Sequence, residues 1–332
     1  MENIYYFELY DWIGIRDTKV TSLFNHNDYD VVGVAIWSRL SKIPKAIGFL
    51  EKNIDKINWN SLSENPNAIH LLRANPDKIY WSRLSLNPNA IKLLENNIDK
   101  INWNSLSSNP NATHLLQQNL QKINWAVLSL NPSAIKLLEE NQHEIDWKQL
   151  SLNPNAIHLL EKNPHKIDWN ALSLNPNAIK LLEKNKHKID WNALSSNPSA
   201  FELLEKNSKR ISWYELCKNP NTIPLLEKYP NKIHWNSLSS NPSAIHLLEK
   251  NLDKIDWDQL SFNPNAIHLL RQNLDKVNWW VLSNNPAIFK REVNYKFLKE
   301  RMNTFREELI KKSMHPKRLS RWLDMGGDED DF

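Results

Sequence analysis

Residues 147–168 read WKQLSLNPNAIHLLEKNPHKID, and the next 22, residues 169–190, read WNALSLNPNAIKLLEKNKHKID. Outward from this pair the same unit recurs in both directions, with Trp at 37, 59, 81, 103, 125, 147, 169, 191, 213, 235, 257 and 279. That is eleven full repeats and a partial twelfth, without a gap. With each Trp as position 0, Leu fills +3 and Pro fills +7 in all twelve. Ala, Ile, Leu and Leu dominate +9, +10, +12 and +13, and Asn fills +16 in ten repeats. An ungapped period means that each unit meets its neighbours in the same way, which is the signature of a solenoid.

Within the unit, the residue types predict two short helices. Asn-Pro at +6 and +7 reads as an N-cap followed by Pro at N1, where the missing N–H has no partner to lose. The apolar positions +9, +10, +12 and +13 then form one stripe at helical spacing. Asn at +16 is expected to close this helix of about nine residues in the left-handed conformation, a role Asn fills next best after Gly. The residue before Trp, usually Asn or Asp, reads as a second N-cap. It puts the preceding Ile at N′ and Leu(+3) at N4, the pair that makes a hydrophobic staple. A strand at K-I-D-W, as in a leucine-rich horseshoe, would need a longer alternation, so helices explain more positions. Neither helix is long enough to persist alone in water, so stability must come from stacking. The fold class expected is an all-α solenoid, stacked over roughly 100 Å at helix-packing spacing, with helical caps at both ends.

Composition narrows function by exclusion. The 332 residues hold 5 Gly and 15 Trp, and no G-x-G-x-x-G, P-loop or G-x-S-x-G occurs. Chemistry that cradles phosphate on bare backbone is therefore not expected. The net charge of +4 is a weak field beside the dense basic stripe of a nucleic-acid groove. A single Cys argues against a disulfide framework and a thiolate zinc cluster. The acidic start MENIYYFELYDW lacks a signal-peptide core, and no run of 18 apolar residues occurs. The chain reads as soluble and intracellular, with no membrane partner.

Four features invite a chemical reading. The Trp column suggests base stacking, yet a residue fixed in every unit beside fixed Ile and Leu reads as shared core. Cys217 stands at +4, where the other eleven repeats have Ser, and no fixed His and Asp accompany either as a catalytic relay requires. His143, His165 and His187 share +18 in consecutive repeats. Layers 8–10 Å apart cannot bring such a column to one metal, whose ligands sit about 2 Å away. No cofactor and no catalysis are expected. The fourth feature is the row at +11, opposite the apolar stripe: His70, Lys92, His114, Lys136, His158, Lys180, then Glu202, Pro224, His246 and His268. It varies, points outward and is mostly basic or protonatable. Its eight cationic or protonatable members are the candidate partner-binding face. Their early alternation also suggests duplication by 44-residue pairs.

The ends break the period. Residues 1–36, with Trp12, are expected to form an N-terminal cap, residues 37–288 the solenoid, and residues 289–332 a C-terminal helical cap with an acidic tail. Residues 289–323 carry 11 basic and 4 acidic side chains and adjoin a tail acidic from Asp328 to Asp331.

The unit K-I-D-W-x-x-L-S-x-N-P-x-A-I-x-L-L-E at 166–183 resembles the tandem repeats of proteins from giant, mimivirus-like DNA viruses of amoebae and algae. The ending HPKRLSRWLDMGGDEDDF at 315–332 is similar to a terminus found on such proteins. The resemblance covers about residues 37–332. It implies expression inside an infected host cell, in the cytoplasm or the virion, and it carries no activity to any residue. The first repeat departs from the pattern with Ile43 before Pro44, and the ninth with Tyr229 in place of Asn. Three functions follow as expectations. The first is a non-catalytic scaffold for protein partners; the second is a helical-repeat RNA reader; the third is a structural component of the virion.

Overall fold

The computed structural model describes residues 5–9, 31–282 and 284–293, with side-chain burial for 37–282 and 284–288. The repeats form an all-α array of short helices packed in sequence order. Each of the eleven full repeats holds two α-helices and at least one 3-10 turn. In the sixth these are Trp147–Leu152, Ile157–Lys162 and Pro164–Lys166. Leu(+3) and Leu(+13) are wholly buried from Leu40 and Leu50 onward, and Ala(+9) lies with them from Ala46 to Ala266, Thr222 excepted. At about 1.5–3 kcal/mol for each buried Leu, these layers outweigh anything a one-turn helix contributes.

The Trp helix begins as its sequence predicts. The Oδ1 atoms of Asn58, Asn102, Asn124, Asp146, Asp168, Asp190, Asp256 and Asn278 accept the N–H three residues on, at 2.9–3.1 Å. Tyr80, Ser212 and His234 hold the same extended backbone without a side-chain cap.

The second helix differs from expectation. It starts at +10, not at Pro(+7), and runs five or six residues; residues +6 to +9 form a turn closed by Ala N–H to Asn O, as Ala156 to Asn153 at 3.1 Å. Asn(+16) is not left-handed either. Asn75 has φ −135° and ψ 64°, and its Nδ2 donates back to Leu71 O at 2.9 Å. That backbone needs no special residue, so Tyr229 adopts it too, with φ −128° and ψ 62°.

Buried polar side chains join the repeats, a role the local pattern does not show. From Asn65 to Asn285, eleven Asn at +6 each donate through Nδ2 to two carbonyls of the preceding repeat, at 2.8–3.2 Å. The same Asn accepts the N–H two residues on, as Asn153 does from Asn155 at 3.0 Å. Ile43 stands at this position in the first repeat, which has no earlier repeat whose carbonyls an amide would reach. Ser(+4) makes a second ladder. Ser151 Oγ donates to Trp147 O at 2.8 Å and accepts from Asp168 N at 3.1 Å, so it ties the Trp helix to the next N-cap.

The outer parts correct two expectations. Tyr5–Leu9 (β1) and Phe289–Val293 (β2) pair as a two-stranded sheet, so the stretch from Phe289 opens as strand rather than helix. The aromatic residues of Tyr5–Leu9 and the terminal Phe and Val of Phe289–Val293 favour a pleated backbone. The N-terminal region does turn helical at Val31, in a helix that runs on through Trp37 to Lys42. Trp12 and residues 294–332, acidic tail included, lie outside the described residues. By contacts the chain forms two compact units, Leu9–Phe289 and Met1–Glu8 with Lys290–Phe332. Within the first, Arg39 Nη1 donates to Trp280 O at 2.7 Å, and the guanidinium lies 3.8 Å over the Trp280 ring. The first and twelfth repeats therefore touch, and the array is not a straight stack with ends 100 Å apart.

Candidate interaction surface

The eight residues of the +11 row, His70, Lys92, His114, Lys136, His158, Lys180, His246 and His268, are all exposed. Each sits second in its helix, where the backbone N–H needs no helical partner, so Pro224 fits the same row. The structure adds partners that spacing did not reveal. His70, His114, His158, His246 and His268 place Nε2 2.6–2.9 Å from Oε1 of Glu51, Glu95, Glu139, Glu227 and Glu249, each at +14 of the preceding repeat. These exposed pairs contribute little stability, and they fix the direction of the imidazoles. Residues at +8 also bond along the array: Asn155 Nδ2 donates to Pro132 O at 2.9 Å.

The Trp column is not core. Trp37 is buried, whereas the other eleven repeat Trp are half-buried, eight of them with the ring covered by the cation at +19. Lys56, Lys78, Lys100, Lys122, Lys166, Lys188, Lys254 and Lys276 hold Nζ 4.5–5.6 Å from the ring centroid of their own unit, and Arg210 lies at 5.2 Å. Each such contact is worth about 0.5–1 kcal/mol at an exposed site. The signal was in the recurring Lys of K-I-D-W, which fills +19 in nine of the eleven full repeats. At Trp213 the Tyr229 ring takes an edge contact at 5.2 Å and 61°.

Other candidate chemistry resolves into structure. Cys217 is fully buried and Sγ accepts His234 N at 3.3 Å, the place Ser takes elsewhere. Burial pushes its thiol above the ordinary range, partly offset by that N–H, so the neutral form is favoured. Thr222, in the Ala(+9) column, donates to Leu216 O at 2.8 Å and Asn219 O at 2.9 Å. His143, His165 and His187 are exposed, and no group of three or more His, Cys, Asp or Glu among the described residues is placed to hold a metal. A groove of about 410 Å³ lies between the fourth, fifth and sixth repeats, lined by Ser108, Ala126, Val127, Leu130, Pro132 and Gln149. No helix among the described residues is long and apolar enough to cross a membrane.

Compared with protein-family models, curated proteins and solved structures, the chain matches none of them.

Proposed function

We propose that the chain is a non-catalytic repeat scaffold that binds protein partners along its outer helix face. The supporting observation is a division of labour inside the unit. Positions +3, +4, +6, +7 and +13 are nearly invariant and carry packing or inter-repeat bonds, while exposed positions +11, +15 and +18 change from unit to unit. An array with a constant frame and a variable surface suits recognition of an extended partner. The resemblance to giant-virus repeats implies an infected host cell as the setting for this role. Affinity capture from infected amoebae, read by mass spectrometry, tests the reading. The wild-type chain is expected to enrich specific proteins. Replacing His114, Lys136 and His158 together by Ala is expected to reduce that enrichment at least fivefold. A wild-type chain that enriches nothing, or a triple variant that enriches the same proteins equally, overturns it.

A further inference from the structure

The exposed edge at +15 to +19 changes character along the array. In the sixth to ninth repeats it reads KNPHK (162–166), KNKHK (184–188), KNSKR (206–210) and KYPNK (228–232), ten Lys or Arg and no acid. Six of the seven other full repeats carry Asp or Glu there, and the fifth has two Glu and no Lys. Position +18 alone shows the switch: Asp55, Asp77 and Asp99 give way to His165, His187 and Lys209, then Asp253 and Asp275 return. All twelve basic and His side chains of the four strips are exposed. Of the Glu that flank them at +14, Glu205 is paired with Lys228 at 3.7 Å and Glu227 with His246 at 2.9 Å, which weakens their opposing field.

We infer that this edge binds an acidic protein segment lying extended across the sixth to ninth repeats. The inference rests on the scaffold reading and names the partner's chemistry. Helical layers recur about every 8–10 Å, and on a segment in the extended polyproline II form, with three residues per turn at about 3.1 Å each, carboxylates three residues apart lie on one face and recur at about 9 Å. One acidic side chain thus meets each strip. Single-stranded nucleic acid fits less well. Bases need an open aromatic face, and Lys166, Lys188 and Arg210 cover Trp147, Trp169 and Trp191. Arg, whose fork suits phosphate, supplies one of the ten cations.

The test uses the full chain and fluorescence anisotropy at low salt. The probes are a labelled Pro-rich peptide of about twelve residues with Glu at every third position, its Gln counterpart, and an oligouridine of similar length. The key variant is His165→Asp, His187→Asp and Lys209→Asp together, which restores the residue that +18 carries in five other repeats. The frame already accepts Asp there, and an unchanged thermal melt checks this. Saturable binding of the Glu peptide, at least tenfold tighter than the Gln peptide and lost at least tenfold in the variant, is expected. Gln121→Asp, outside the strips, is expected to change binding less than twofold. The inference is overturned if the Glu peptide binds no better than the Gln peptide, if the variant binds it equally, or if oligouridine binds more tightly. If the variant still captures the wild-type partners from cells, the scaffold stands and the acidic-segment inference alone falls.

Discussion

Replacing Asn153 by Ala is expected to lower the unfolding free energy by about 3 kcal/mol, and Asn155→Ala by less than about 1 kcal/mol. The two residues stand side by side in the same turn, and the difference is where their bonds go. Asn153 is buried; it donates to Ser129 O at 3.0 Å and Asn131 O at 3.1 Å, and it accepts from Asn155 N at 3.0 Å. Ala leaves the Asn155 N–H without this acceptor and strips a donor from two carbonyls of the fifth repeat. Asn131 O keeps the turn bond from Ala134 N at 3.1 Å, which holds the cost to the upper end of the range for one lost buried group although three groups lose a partner. Asn155 is exposed, so water replaces its single inter-repeat bond to Pro132 O. Urea unfolding checks the pair; equal losses would contradict the ladder.

The second large effect belongs to Leu172→Ala, at about 2–5 kcal/mol. Leu172 is wholly buried at +3, in a layer that neighbouring Trp helices close from both sides. The cavity cannot collapse, because the ladders on either side hold the layers in register. Leu174, two residues on in the same helix, is 41% exposed, and its replacement by Ala is expected to cost less than about 1 kcal/mol. In a nearest-neighbour array a weakened layer also loosens coupling between the halves it joins. Calorimetry of Leu172→Ala is therefore expected to show a broadened or split melt, while Leu174→Ala keeps the wild-type shape. A single sharp transition at the wild-type midpoint in Leu172→Ala would contradict this.

Much of the fold was legible because one unit is written twelve times. Period, Leu layers and the N-cap before Trp follow from residue types whose preferences are local. Asn(+6) was legible only by half. Beside Pro it satisfies the local N-cap pattern, and nothing local shows that its amide reaches carbonyls 22 and 24 positions back. Asn(+16) misled in the other direction. Asn tolerates positive φ, yet a side-chain bond to the preceding turn makes a negative φ sufficient. The Trp column reads as core by its constancy, yet the rings are mostly half-buried and nine of them carry a cation from the end of their own unit. The meeting of Arg39 with Trp280 depends on a small rotation added at every layer, a quantity that no single unit displays. For the surface, the +11 row was visible, but its Glu partners belong to the previous repeat and emerge only when layers are stacked. The change at +18 is visible in the sequence as three His in a column, and its meaning emerges only beside the basic residues of the same strips.

The central claim is that buried Asn and Ser side chains join the repeats as firmly as the helices hold each unit. Residue-resolved amide hydrogen exchange on the intact chain tests it most directly. The informative N–H groups bond only to side-chain oxygens of the ladders, such as Asn155 N to Asn153 Oδ1 and Asp168 N to Ser151 Oγ. The account predicts that these exchange as slowly as the helical Leu160 and Leu172 amides, throughout the second to eleventh repeats. Free exchange of the ladder amides beside protected helices would contradict it.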